Sequence, residues 1–110
     1  MKKKVLIIDD ERDFGMLLKG FFTRKKYDVE VAYTIEDGMK ALEQTKPDYI
    51  FLDNNLPDGL GWGQTEYILN KYPATQLNLM SAYYVPKTSA TNFRILEKPL
   101  NVDELNTMFE

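Results

Sequence analysis

Tyr49-Ile50-Phe51-Leu52-Asp53 decides how the rest of the chain is read: four apolar or aromatic residues in a row, then a bare carboxylate. Alternation would mark a strand with one wet face. Consecutive apolar positions instead predict a strand covered on both faces, as at the centre of a parallel sheet. Val5-Leu6-Ile7-Ile8 repeats the pattern and also ends on acids, Asp9 and Asp10. Leu77–Met80, Phe93–Leu96 and Asp28–Ala32 read as further strands. Between them Phe14, Leu17, Leu18, Phe21 and Phe22 recur at helical spacing, and so do Ile35, Met39 and Leu42 behind the cap Thr34. A third helix is expected over Gln64–Lys71, stopping before Pro73. A last one starts at Asn101, with Glu104 three residues on completing a capping-box pattern. Strands alternating with helices over short connections predict an α/β fold: an open, doubly wound parallel sheet with helices on both faces.

The bulk properties agree with one compact unit. The 110 residues, 44% hydrophobic and 28% charged, predict a single domain over 1–110, either stand-alone or the N-terminal part of a longer chain. The apolar runs are strand-length, short of the roughly 20 residues of a membrane helix, and no secretory signal is present. A cytoplasmic protein without membrane partners is expected. The absence of cysteine excludes a disulfide scaffold and thiolate metal sites, and a net charge of -3 argues against nucleic-acid binding by this domain.

In doubly wound sheets, ligands bind beyond the carboxyl ends of the central strands. The residues falling there are Asp9 and Asp10, Asp53, Ser81 and Lys98: three carboxylates, a hydroxyl and an ammonium, delivered by four separate strands. Carboxylates crowded together raise one another's pKa unless a cation joins them. An all-oxygen donor set selects a hard cation, and few carboxylates with room for waters and phosphate suit Mg²⁺ better than Ca²⁺. A carboxylate can also attack phosphorus to give an aspartyl phosphate. Lys98 would then neutralise the phosphoryl oxygens, and Ser81 would donate a hydrogen bond to one of them.

These pieces in this order (IIDDE, LDNNLPDG, Ser81-Ala82 and Glu97-Lys98-Pro99) resemble the response-regulator receiver domains of two-component systems, over nearly the whole chain. The resemblance implies a flavodoxin-like sheet of five parallel strands in the order 2-1-3-4-5. It implies Asp53 as phosphoacceptor, with Mg²⁺ held directly by Asp10, Asp53 and the backbone carbonyl of Asn55, and by Asp9 through water. Ser81 and Lys98 would contact the phosphoryl group. The partners implied are a histidine kinase or phosphotransfer protein upstream and an effector domain or protein downstream, in phosphorelay signalling rather than as a free-standing enzyme. A cis peptide is common before the proline that follows the lysine, here Lys98-Pro99.

Two departures from that pattern concern the output. The segment between Ser81 and Lys98 is short and lacks an apolar stripe, so the fourth helix is expected to be reduced or missing. The aromatic switch position is occupied by Ile95, whose aliphatic side chain cannot repeat a ring's inward and outward movement. The alternative is therefore a degenerate receiver acting as a phosphorylation-independent interaction module. A flavodoxin-like carrier would need a phosphate-cradling loop where Asp9-Asp10-Glu11 stands. A metal-dependent phosphatase would place its nucleophile after the first strand.

Overall fold

The computed structural model describes residues 2–81, 93–98 and 100–109. In chain order the elements are β1 (Lys4–Ile8), α1 (Arg12–Arg24), β2 (Asp28–Ala32), α2 (Ile35–Thr45), β3 (Tyr49–Asp53), and two short strands β4 (Asn55–Leu56) and β5 (Gly59–Leu60). There follow a 3-10 turn (Gly61–Gln64), α3 (Thr65–Lys71), β6 (Gln76–Ser81), β7 (Phe93–Glu97) and α4 (Val102–Met108). The five long strands pair in parallel in the order β2-β1-β3-β6-β7. Since β4 and β5 form a separate hairpin, this is the expected 2-1-3-4-5 order. The expected reduction of the fourth helix and the Lys98-Pro99 peptide fall at residues 82–92 and at Pro99, outside the described residues.

Why residues 5–8 of β1 and 49–52 of β3 are apolar without a break is visible in the core. Leu6, Ile8, Ile50 and Leu52 point to one face, under Leu42 of α2 and Ile68 of α3. Val5, Ile7 and Phe51 point to the other, under Leu18 and Phe22 of α1 and Leu105 of α4. On that second face Phe51 meets Phe22 and Phe109 at centroid separations of 5.4 and 5.5 Å, so an aromatic cluster lies directly behind the end of β3. Rings packed edge-on or tilted in this way add to their burial free energy. The cluster makes β3 a rigid mount for whatever follows it.

Two helix starts differ from the sequence pattern. The third helix does not start at Gln64: a 3-10 turn over Gly61–Gln64 comes first, because glycine at positions 61 and 63 disfavours α-helix there. At the last helix the Asn101 side chain accepts from Asp103 N–H, the second helical residue, so the capping-box spacing to Glu104 is not used for that bond. Thr34 caps α2 as expected, accepting from Asp37 N–H at 3.0 Å.

One core residue goes against the apolar pattern. Asn78, in the middle of β6, is fully buried. Its Nδ2 donates to Ile50 O at 3.1 Å, and its Oδ1 is buried without a hydrogen-bond partner among the described residues. A buried acceptor left unmet costs about 1–3 kcal/mol, while the bond it accompanies contributes about 1. Asn78→Leu, close in shape, is therefore expected to raise stability by about 1 kcal/mol in urea unfolding; a drop would mean that the amide bond outweighs the orphaned oxygen.

Candidate functional site

The ends of β1, β3, β6 and β7 converge on one edge of the sheet. Asp9 directly follows β1, and its N–H continues the ladder to Ala32 O at 3.0 Å. Asp53 closes β3 in register with Met80, and Ser81 closes β6 opposite Glu97. Lys98 follows β7, and its N–H donates to Ser81 O at 2.8 Å, which carries the lysine across to the centre of the edge. Asp9, Asp53 and Ser81 are all buried. Asp10, by contrast, is exposed, so the two adjacent acids after β1 have different surroundings.

The side chains meet. Lys98 Nζ lies 2.7 Å from Asp9 Oδ2 and 3.2 Å from Asp53 Oδ1, and all three side chains are 8% exposed or less. Carboxylate oxygens of Asp9, Asp10 and Asp53 lie within 4.8 Å of one another. Electrostatically this is crowded. Burial pushes the Asp53 carboxyl up to about 6, helped by the charge of Asp9 and opposed by Lys98. Asp9 is raised too, its burial outweighing the bonds from Lys98 and the Glu11 amide. Burial works against the charge on Lys98, but the bonds to Asp9 and Glu11 and the charges of Asp9 and Asp53 prevail and raise its pKa. One ammonium between two buried carboxylates, with Asp10 beside them, leaves a surplus of negative charge in a low-dielectric edge. An oxygen-only donor set of this kind fits a hard divalent cation.

Behind Asp53 the chain is braced. Asn54 O accepts from Gly61 N–H at 2.8 Å, and Asn54 Oδ1 accepts from Trp62 N–H at 3.1 Å. Asn55 pairs with Leu60 across the β4–β5 hairpin, which fixes the backbone around the Asn55 carbonyl. Gly59, at φ 143°, makes the hairpin's tight return, a conformation that glycine adopts without a side-chain clash. Asp58, at the tip, accepts from Ile35 N–H at 2.8 Å and Glu36 N–H at 3.0 Å. The hairpin is thereby tied to the start of α2, and the two backbone bonds lower the Asp58 pKa. A carboxylate at a helix N-terminus satisfies orphaned N–H groups and complements the dipole. Asp58→Ala is expected to speed amide exchange at Ile35 and Glu36 and to lower the melting temperature. Because the folded pKa is depressed, this stabilisation is present above the ordinary carboxylate pKa and lost as pH falls below it, so the variant and parent should converge in acid.

Several of these contacts were not anticipated from the sequence. Glu11 reads as an acidic helix start, yet its Oε1 lies 2.7 Å from Lys98 Nζ. Phe14 reads as core, yet its ring lies 4.6 Å from the same ammonium. Asp58 reads as a turn former. Ile95 sits on the edge strand β7 opposite Leu79, half-buried. A concavity of about 530 Å³ lined by residues such as Lys46, Asp48 and Tyr72 precedes β3 and β6, at the other end of the sheet from the carboxylates.

The response regulator receiver domain family matches residues 5–110. The chain belongs to that family. The receiver domain is 30% identical to the response regulator protein PilR of Pseudomonas aeruginosa, over 97% of this chain and 25% of PilR. A shorter stretch, 54% of the chain, is 44% identical to the alkaline phosphatase synthesis transcriptional regulatory protein PhoP of Bacillus subtilis, covering 26% of that protein. The receiver domain thus spans about a quarter of the curated relatives it matches. Among solved structures, a two-component response regulator from Clostridium difficile superposes with a TM-score of 0.83 at 31% identity, covering 97% of this chain and 92% of that one. The signal receiver domain of a Luxo repressor protein from Vibrio parahaemolyticus gives 0.84 at 27% identity, covering 98% and 87%. No helix among the described residues is long and apolar enough to cross a membrane.

Proposed function

We propose that this receiver domain accepts a phosphoryl group on Asp53 from the phosphohistidine of a partner histidine kinase or phosphotransfer protein. The observation that carries the reading is the Asp53 carboxylate on the rigid end of β3, with Lys98 Nζ 3.2 Å from Oδ1 and Asp9 and Asp10 alongside. In the transfer an Asp53 oxygen attacks phosphorus, the new O–P bond forms as the P–N bond to imidazole breaks, and the imidazole nitrogen keeps the electron pair and takes up a proton. Charge is spread over the three equatorial oxygens, so catalysis is positioning and charge neutralisation. Lys98 supplies one cation. Ser81, at the end of β6, supplies a hydroxyl donor. Asp9, Asp10, Asp53 and the Asn55 carbonyl would hold Mg²⁺, which contributes the second positive charge toward the phosphoryl oxygens.

Phosphorylation would switch the conformation of the domain to control an effector domain or protein, without direct nucleic-acid contact by this domain and in the cytoplasm. We regard it as a signalling domain that promotes its own phosphorylation and dephosphorylation rather than as an enzyme acting on others. The test is to incubate the protein with Mg²⁺ and acetyl phosphate and follow intact mass. One added phosphoryl group, absent without Mg²⁺ and in Asp53→Asn, is the expected result. Mg²⁺ binding by calorimetry with no mass gain would instead favour a phosphorylation-independent interaction module.

A further inference from the structure

An ammonium has three N–H donors. Lys98 Nζ lies among three of the chain's own carboxylates, Asp9 Oδ2 at 2.7 Å, Glu11 Oε1 at 2.7 Å and Asp53 Oδ1 at 3.2 Å, and of these contacts only the one to Glu11 has hydrogen-bond geometry. The Phe14 ring lies 4.6 Å away on a further side. The ammonium is therefore ringed by carboxylates, and a phosphoryl oxygen arriving at Asp53 bonds it most readily when one of them leaves. The three differ in how freely they can do so. Asp9 is fully buried and fixed by the Glu11 amide, which donates to its Oδ1 at 2.9 Å. Asp53 is the acceptor itself. The Glu11 side chain is 62% exposed, so swinging it into water costs little.

The geometry points to Glu11 as a positioning residue for the acceptor site, its carboxylate holding the Lys98 ammonium in the resting protein and giving way to the incoming phosphoryl group. This rests on Asp53 being the acceptor. Glu11 stands in for a phosphoryl oxygen on Lys98, and its negative charge at the mouth opposes an anionic donor. Its removal speeds uptake, and the gain scales with the donor's charge.

Glu11→Gln is the informative change. It keeps an oxygen acceptor and the backbone amide that holds Asp9, and removes only the charge. Asp13→Asn removes an equal charge from the exposed first turn of α1, where no contact with Lys98 is found among the described residues. Rates of mass gain with Mg²⁺ are compared for acetyl phosphate, a dianion, and phosphoramidate, a net monoanion. One unit charge about 9 Å from a dianion in water, as when the Glu11 side chain has swung aside, corresponds to a rate gain of about five-fold, and about two-fold for the monoanion. The gain should shrink with added salt. Glu11→Gln at about five-fold and two-fold, with Asp13→Asn near the parent rate, is the result expected. A Glu11→Gln rate equal to or below the parent, or matched by Asp13→Asn, overturns the role of Glu11 while leaving Asp53 as acceptor. A parent protein that gains no mass overturns the acceptor assignment and this inference with it.

Discussion

Gly61→Ala is expected to destabilise the protein by about 2–3 kcal/mol and to slow phosphoryl uptake at Asp53. A Cβ at position 61 would clash with the Asp53 carbonyl oxygen and lie 3.0 Å from both Leu52 Cδ1 and Leu56 Cδ1. The first contact is with backbone, so no rotamer change relieves it. Nor can Asp53 retreat easily, because it is laddered to Met80 and lies ahead of the aromatic cluster on Phe51. The 3-10 turn would have to move instead, stretching the bonds from Gly61 N–H to Asn54 O and from Trp62 N–H to Asn54 Oδ1. Both keep the segment after Asp53 in place. Urea unfolding measures the stability change, and mass gain from acetyl phosphate measures the rate. A variant with parental stability and rate would mean that the turn is free to slide and does not position the acceptor.

Asp53→Asn is expected to do the opposite to stability. In metal-free protein at a pH of about 7.5 the variant should be more stable than the parent by up to ~3 kcal/mol, the equivalent of raising a carboxyl from 3.8 to about 6. The sign follows from which state binds the proton more tightly. The folded state does, so the parent loses stability as pH rises from the unfolded pKa of 3.8 through about 6 and is level above that. The amide that replaces the carboxyl has no proton to lose. The gap should therefore be full at a pH of about 7.5, close below the unfolded pKa, and narrow when Mg²⁺ compensates the parent's carboxylates. Urea unfolding across that range, with chelator and with Mg²⁺, measures all three. A variant less stable than the parent in chelator would mean that attraction to Lys98 exceeds the combined effects of burial and Asp9.

Much of this arrangement can be read from the sequence because it is repeated locally. Residues 5–8 and 49–52 are apolar at every position since helices cover both faces of β1 and β3, and an acid after such a run has only the sheet edge to occupy. What could not be read depends on contacts distant in sequence. Glu11 reaches Lys98 across 87 residues, and Asp58 caps α2 across 23. In the linear chain each has a sufficient local explanation, as a helix start and a turn. Strands β4 and β5 contain two residues each, too few for any period to register. The adjacent acids Asp9 and Asp10 look equivalent until α1 begins, when one is buried under Lys98 and the other is left in solvent. Asn78 gives no signal beyond being one polar residue in a short apolar run.

On the proposed function Asp53, and no other carboxylate of the crowded edge, carries the phosphoryl group. Borohydride reduces an acyl phosphate to the alcohol and leaves free carboxylates alone, so it marks the acceptor as homoserine. The protein treated with Mg²⁺ and acetyl phosphate, reduced and mapped by peptide mass spectrometry, should carry homoserine at position 53 alone. Homoserine at position 9 or 10, or at none of the three in protein that has gained the mass of a phosphoryl group, would contradict the account.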